Sequence, residues 1–132
     1  MKKLLPVLVA TLFLVFTEIG ICDNISNIQL SPISPASLTF NQYVNITFDY
    51  TTEVAGGVRI FARPFSGGSL TPNYAAHPSP LYPVGSGSGT GNFTIKSGDA
   101  MVDQIRFQMY NADQSVMLLE FFIPIEYHFV SH

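Results

Sequence analysis

The sequence predicts an all-β protein, a single antiparallel β-sandwich of about seven strands preceded by a signal peptide. The main observation is a strict alternation near the end of the chain, in which every second residue is large and apolar: Met117, Leu119, Phe121, Ile123, Ile125, Tyr127 and Phe129. A period of two is typical of a strand, because a helix would scatter these residues around its circumference. Turn-forming residues separate this run from several shorter alternating runs, as in a sandwich.

The last two strands are predicted to form a long antiparallel hairpin between Met101 and Phe129. Ile105, Phe107 and Met109 share one face of the first strand. Residues 111–114 read Asn-Ala-Asp-Gln, a composition that favours a tight turn.

The shorter alternating runs predict the remaining strands. They are Ile25–Leu30, a brief pairing at Leu38 and Phe40, Tyr43–Thr51, Val58–Arg63 and a strand at Phe93 and Ile95. Two prolines between the first and second runs, Pro32 and Pro35, predict a kinked edge segment or a loop, because proline donates no ladder hydrogen bond.

The start of the chain has the pattern of a secretory signal peptide. Lys2 and Lys3 precede an apolar run from Leu4 to Phe16, which is shorter than the roughly 20 residues that cross a bilayer. Small residues at Gly20 and Cys22 predict cleavage before Asp23. Residues 1–22 are therefore the predicted signal peptide and residues 23–132 the predicted single domain. The alternative is a lipid anchor on Cys22, although Ile21 stands where that motif requires a small residue.

This leader predicts a secreted protein, extracellular or periplasmic. Contact with a membrane is expected only if Cys22 is lipidated. Residues 23–132 contain no cysteine, so the sequence predicts a domain without disulfides. They carry four basic and eight acidic side chains and no basic patch, which excludes nucleic acid as an expected partner.

The order of runs resembles an immunoglobulin-like or fibronectin type III-like domain, although the mature chain has no tryptophan and no cysteine pair. The resemblance implies a fold and no activity. Pro124 is consistent with it, since the last strand of such a sandwich is a sheet edge. A jelly-roll-like sandwich is the alternative fold.

Residues 64–91 are predicted to be a long loop, because they show no sustained period and contain many prolines and glycines, with a short strand around Ser69–Thr71 or Leu81–Tyr82 as the alternative within it. Aromatic residues among Ser, Gly, Asn and Pro are the mixture that recognition surfaces use. The candidate ligand-binding residues are Phe65, Tyr74, His77 and Tyr82. The alternative is that the loop folds back and caps one end of the sandwich.

The sequence contains no catalytic constellation, and no enzyme activity, cofactor or metal is predicted. The glycine run at 85–91 matches neither a nucleophile elbow nor a phosphate-binding loop. Asp99, Asp103 and Asp113 are the candidate ligands for a calcium ion. Asp99 and Asp113, however, occupy turn positions, where aspartate is common, and Asp103 shares the strand face of Ile105. The three N-glycosylation sequons begin at Asn24, Asn45 and Asn92, and the Met-Lys-Lys start, typical of bacteria, leaves their use open.

The predicted function is that of a non-catalytic extracellular binding or adhesion module that uses residues 64–91 to bind a protein or a carbohydrate. One alternative is an assembly subunit that pairs through its C-terminal strand. Glu120, Pro124 and Glu126 on that strand argue against pairing and predict a monomer. The other alternative is a secreted protease inhibitor. Arg63-Pro64-Phe65 is similar to the Arg-Pro-Trp loop of the chagasin family, and the glycine run to its Gly-x-Gly-Gly loop, but in a different order.

Overall fold

The computed structural model describes residues 23–131, which form two β-sheets packed face to face. The predicted signal peptide (1–22) and the lipid anchor at Cys22 lie outside the described residues. The strands of the described part are β1 (Asn24–Ser31), β2 (Ala36–Thr39), β3 (Val44–Thr52), β4 (Val58–Ser66), β5 (Ser69–Leu70), β6 (Tyr74–Ala76), β7 (Gly85–Ile95), β8 (Ala100–Asn111) and β9 (Met117–Val130). None of the residues described forms a helix that could cross a membrane.

One sheet has the order β2-β9-β8-β4-β5 and the other the order β1-β3-β7-β6. Neighbouring strands run antiparallel, except that β2 lies parallel to β9. Because β5 and β6 have only two and three residues, the longer strands number about seven. The predicted all-β sandwich is confirmed.

The core lies between the sheets and is built from the inward rows of the central strands. On β8, Ile105, Phe107 and Met109 are completely buried, as the alternation predicted. Phe48 of β3 meets Phe107 edge to face, with ring centroids 6.3 Å apart. Each such apolar side chain stabilises the fold by about 1.5–3 kcal/mol when it leaves water.

The alternation on β8 changes phase near its start. Val102 is completely buried, whereas Asp103 is exposed rather than sharing the inward face of Ile105. The carboxylate of Asp103 accepts a hydrogen bond of 3.1 Å from the Gly67 backbone N–H. A register irregularity between β8 and β9 at this level lets the charged side chain reach water.

The prediction of one continuous loop over residues 64–91 is wrong. Strand β4 continues through Pro64 to Ser66, β5 and β6 follow, and the glycine run is the first half of β7. In β7 the glycines alternate with Ser, Thr and Asn, and the whole run pairs with β3. A Cβ on Gly89 would lie 2.6 Å from the Phe48 ring, so core rings occupy the space that side chains fill in other strands.

The prediction that the last strand is a sheet edge is wrong for its C-terminal end, because β2 pairs in parallel with residues Tyr127–Val130. Two hydrogen bonds from β9 to the proline segment lie just before this pairing: the Tyr127 hydroxyl donates to the Pro32 carbonyl, and the Glu126 N–H donates to Ser34 Oγ at 2.8 Å. The rest of β9 pairs only with β8. The larger part of the last strand therefore remains an edge.

Candidate functional site

The two sheets part along two lateral edges, and one of these edges is closed by residues 77–82, which we call the strap. The backbone N–H groups of Val58 and Tyr82 donate to each other's carbonyl oxygens at 2.9 and 2.8 Å. The Ile60 N–H donates to Ser79 Oγ at 2.9 Å. Just beyond the strap, the Tyr50 hydroxyl donates to the Pro83 carbonyl at 2.9 Å. These bonds hold the strap against β4 and across the edge between β4 and β7.

Tyr82, one of the four predicted ligand-binding residues, is part of the core and only 8% exposed. Its ring lies 5.2 Å from the Tyr50 ring and 6.0 Å from the Phe48 ring. Its hydroxyl accepts from the Thr90 N–H and donates to the Thr90 carbonyl, both at 3.2 Å. Burial raises the pKa of Tyr82, although the backbone bond to Thr90 opposes this. Tyr82 is therefore a core residue that covers one edge of the space between the sheets.

Phe65, the second predicted residue, is also buried, but on the outer face of the five-stranded sheet. Its ring packs edge to face on Phe122, with centroids 5.1 Å apart. The Arg106 guanidinium lies over the same ring at 5.0 Å. Phe65 is therefore covered by its own neighbours.

Tyr74 lies in β6 and His77 is the first residue of the strap, directly after that strand. Tyr74 is half-buried and its phenol is next to the Arg63 guanidinium. His77 is exposed, and a hydrogen bond of 2.7 Å joins its Nδ1 to Oδ1 of Asn92. The structure thus brings two of the four predicted residues together around Arg63.

Arg63, His77 and Asn92, but not Tyr74, line a cleft of about 260 Å³ between β4, β7 and the strap, which we call the strap cleft. Ile60 and Ala62 form its apolar part, and Arg63, His77 and Asn92 are the main polar groups of its lining. Burial lowers the pKa of Arg63, the phenol of Tyr74 raises it, and the charge of Arg106 lowers it further.

The second lateral edge, between β1 and β9, has no strap. On β9 the inward side chains of Leu119, Phe121 and Ile123 are only half-buried. Their register partners on β8, Met109, Phe107 and Ile105, are completely buried. The difference arises because β9 faces the open edge of the sandwich, whereas β8 lies in the middle of its sheet.

An apolar cleft of about 610 Å³ follows this open edge, and we call it the β1–β9 cleft. The aliphatic side chains that line it are Ile28, Leu30, Ile33, Ile123 and Ile125. Gln29 and Ser34 are its polar lining residues, and Pro124 completes the lining. Ile33 is 80% exposed, so a large aliphatic side chain stands in solvent at the mouth of this cleft.

Sequence reasoning did not find the β1–β9 cleft. Its residues occur as ordinary members of alternating runs, and only a tertiary contact decides whether such a row is covered. The one local signal was Ile33, a large aliphatic residue between two prolines in a segment that was expected to be exposed.

Among residues 23–131, no group of three His, Cys, Asp or Glu side chains is arranged to hold a metal ion. Asp113 instead accepts two hydrogen bonds from Ser115, at 3.0 Å from its N–H and 2.6 Å from its hydroxyl. These bonds lower the pKa of Asp113 and stabilise the hairpin turn.

No protein-family model and no curated protein sequence matches the chain. A solved structure, that of a Niemann-Pick type C2 protein from Japanese carpenter ant, is similar to it with a TM-score of 0.52. The likeness covers 89% of this chain and 100% of that one, at 13% sequence identity. It shows the fold. The predicted immunoglobulin-like β-sandwich is thereby confirmed.

Proposed function

We propose that the protein is a non-catalytic binding module that holds an apolar ligand in the β1–β9 cleft. The observation that carries this proposal is the half-exposed inward row of β9 beside a cleft with five aliphatic lining side chains. In a closed sandwich this row would be buried as completely as its partners on β8. A ligand in the cleft would remove from water the exposed surface of Ile123 and Ile125, the residues of β9 that line it with Pro124.

The lining supports a ligand with an aliphatic body. The cleft volume of about 610 Å³ lies within the range of about 300–1,000 Å³ for small-molecule sites. Burying about 200 Å² of apolar ligand surface would contribute roughly 5 kcal/mol before the costs of association. Gln29 and Ser34 provide a few polar contacts at the rim, which suits a hydrocarbon chain with one polar end, such as a fatty acid.

Binding of a fluorescent fatty acid, followed by displacement with the unlabelled acid, tests this proposal. Ile33→Ser should weaken binding about fivefold, because it removes about 1 kcal/mol of apolar contact at the mouth of the cleft. The fold should be unaffected, since Ile33 is largely exposed. Ile125→Asp should abolish binding, because it would bury a carboxylate against the ligand.

Val116→Ser is the matched control. Val116 is 51% exposed and belongs to the hairpin turn rather than to the lining of the cleft, so its loss should leave the affinity unchanged. Absence of saturable binding by the wild-type protein, or equal affinities for the Ile33 and Val116 variants, would reject the proposal.

Export of the chain, with a ligand taken from outside the cytoplasm, is part of this proposal. It is supported by the pattern of residues 1–22. Binding of a protein or carbohydrate through residues 64–91 also stays a proposal. The surface available for it is the exposed side of the strap, since Phe65 and Tyr82 are buried.

A further inference from the structure

We propose that the strap cleft is a second, independent site, and that it binds a small organic carboxylate through Arg63. The first reason is the charge of the lining. Residues 23–132 carry twice as many acidic as basic side chains, yet none of the residues lining this cleft is acidic. The local charge is therefore opposite in sign to that of the molecule.

The second reason is that Arg63 has no internal anion. Within the described residues, the charged or ionisable groups that perturb its pKa are Tyr74 and Arg106, and no carboxylate contributes. Arg106 stands directly opposite Arg63 in the register of β4 and β8. Like charges placed opposite one another destabilise a sheet. Each guanidinium lies over a phenylalanine ring, Arg63 over Phe61 at 5.2 Å and Arg106 over Phe65 at 5.0 Å, and a bound anion would offset the remaining repulsion.

The third reason is the supply of hydrogen-bond donors. Arg63 uses Nη1 for the carbonyl of its neighbour Ala62, at 3.0 Å. A guanidinium has five N–H donors in a planar fork that matches a carboxylate, so donors remain for a ligand. Arg59, by comparison, has two of its nitrogens committed to the backbone carbonyls of Ala112 and Ser79, at 2.8 and 3.1 Å.

Size and lining narrow the ligand class. A volume of about 260 Å³ falls below the usual range for drug-sized ligands, about 300–1,000 Å³. Ile60 and Ala62 offer an apolar wall beside the guanidinium, and the His77–Asn92 pair stands at the same cleft. The arrangement fits a compact molecule with one carboxylate and a short apolar body.

Titration of the protein with benzoate, followed by NMR of the backbone amides, tests this inference. Benzoate should shift the amides of Thr90, Gly91 and Asn92, whereas Gln29 and Ile125 report on the other cleft. Benzamide, a neutral molecule of the same shape, should bind at least about tenfold more weakly, because it lacks the charge that strengthens a hydrogen bond to arginine.

Arg63→Gln should weaken benzoate binding at least about tenfold. Lys96→Gln is the matched control, since it removes one positive charge from an exposed side chain that does not line the cleft. Neither change should affect fatty-acid binding in the β1–β9 cleft, which separates failure of this inference from failure of the proposed function. Equal binding of benzoate and benzamide, retention of binding by Arg63→Gln, or no shift at 90–92 up to the solubility limit would overturn the inference.

Discussion

At the scale of single residues, the glycines of β7 show how the fold uses the absence of a side chain. The ring of Phe48, the register partner of Gly89 on β3, and the hydroxyl of Tyr82 fill the volume that a side chain at position 89 would occupy. Position 91, one step further along the same inward row, faces only the Ala62 methyl group, with 3.8 Å between that carbon and an added Cβ. The space beside Gly89 is therefore already filled, whereas a methyl group fits at position 91.

Gly89→Ala should destabilise the protein by about 1–3 kcal/mol, because the added methyl group would lie 2.6 Å from both the Phe48 ring and the Tyr82 hydroxyl oxygen. Gly91→Ala should be neutral or stabilising by up to about 1 kcal/mol, since it meets ordinary contact distances and restricts the unfolded chain. Denaturant unfolding of both variants measures the difference. Equal effects would show that the rings do not occupy the space opposite Gly89.

At the scale of elements, the strap is the segment that makes the two edges of the sandwich unequal. Tyr82 exchanges two backbone hydrogen bonds with Val58, and Ser79 Oγ accepts one from the Ile60 N–H, so the strap lies beside β4 like a short additional strand. Tyr82 then places an aromatic ring between the sheets, where it packs on Phe48 and Tyr50. No corresponding segment of the described chain covers the outer side of β1.

Tyr82→Ala should lower the free energy of unfolding by about 3–5 kcal/mol, the usual cost of deleting a buried aromatic ring. Tyr43→Ala is the control, because Tyr43 is 38% exposed and its loss should cost less than about 1 kcal/mol. Thermal and denaturant unfolding are suitable measurements. If Tyr82→Ala unfolded like the wild type while binding of an external partner fell, Tyr82 would be a contact residue and not a cap.

At the scale of the whole molecule, the two clefts lie at opposite lateral edges and differ in chemistry. The β1–β9 cleft is aliphatic, whereas the strap cleft contains an arginine. The core of the sandwich separates them, so a ligand in one does not contact a ligand in the other. The uncovered part of β9 carries the exposed residues Glu120, Pro124 and Glu126, and a monomer stays the prediction.

The exported protein should begin at or near Asp23. The basic start and the short apolar run of residues 1–22 match a cleaved leader. Intact-mass measurement of the exported fraction checks the prediction. A chain that retains Met1 would contradict it, and a lipid mass on Cys22 would place the protein on a membrane surface.

The sequence by itself determined the strands that have one face in the core. In β3 and β8, apolar residues alternate with polar ones, and this period alone specifies both the secondary structure and the buried face. The hairpin turn was equally local, since Asn111 and Asp113 bond to neighbours a few residues away. Alternation revealed only the end of β7, at Phe93 and Ile95, because the glycines of its first half have no side chain to mark a buried face.

Only the tertiary structure decided which rows are covered. Phe107 and Phe121 belong to similar alternating runs and stack on one another with ring centroids 5.2 Å apart, yet one is completely buried and the other half-buried. Their difference depends on whether another segment lies over them, and so on chain connections far apart in sequence. For the same reason the sequence grouped Tyr82 with His77, whereas the fold placed one in the core and the other in solvent. No alternation in the sequence marks a binding site that lies at an uncovered edge of the sandwich. Such a site becomes visible only when both sheets are in place.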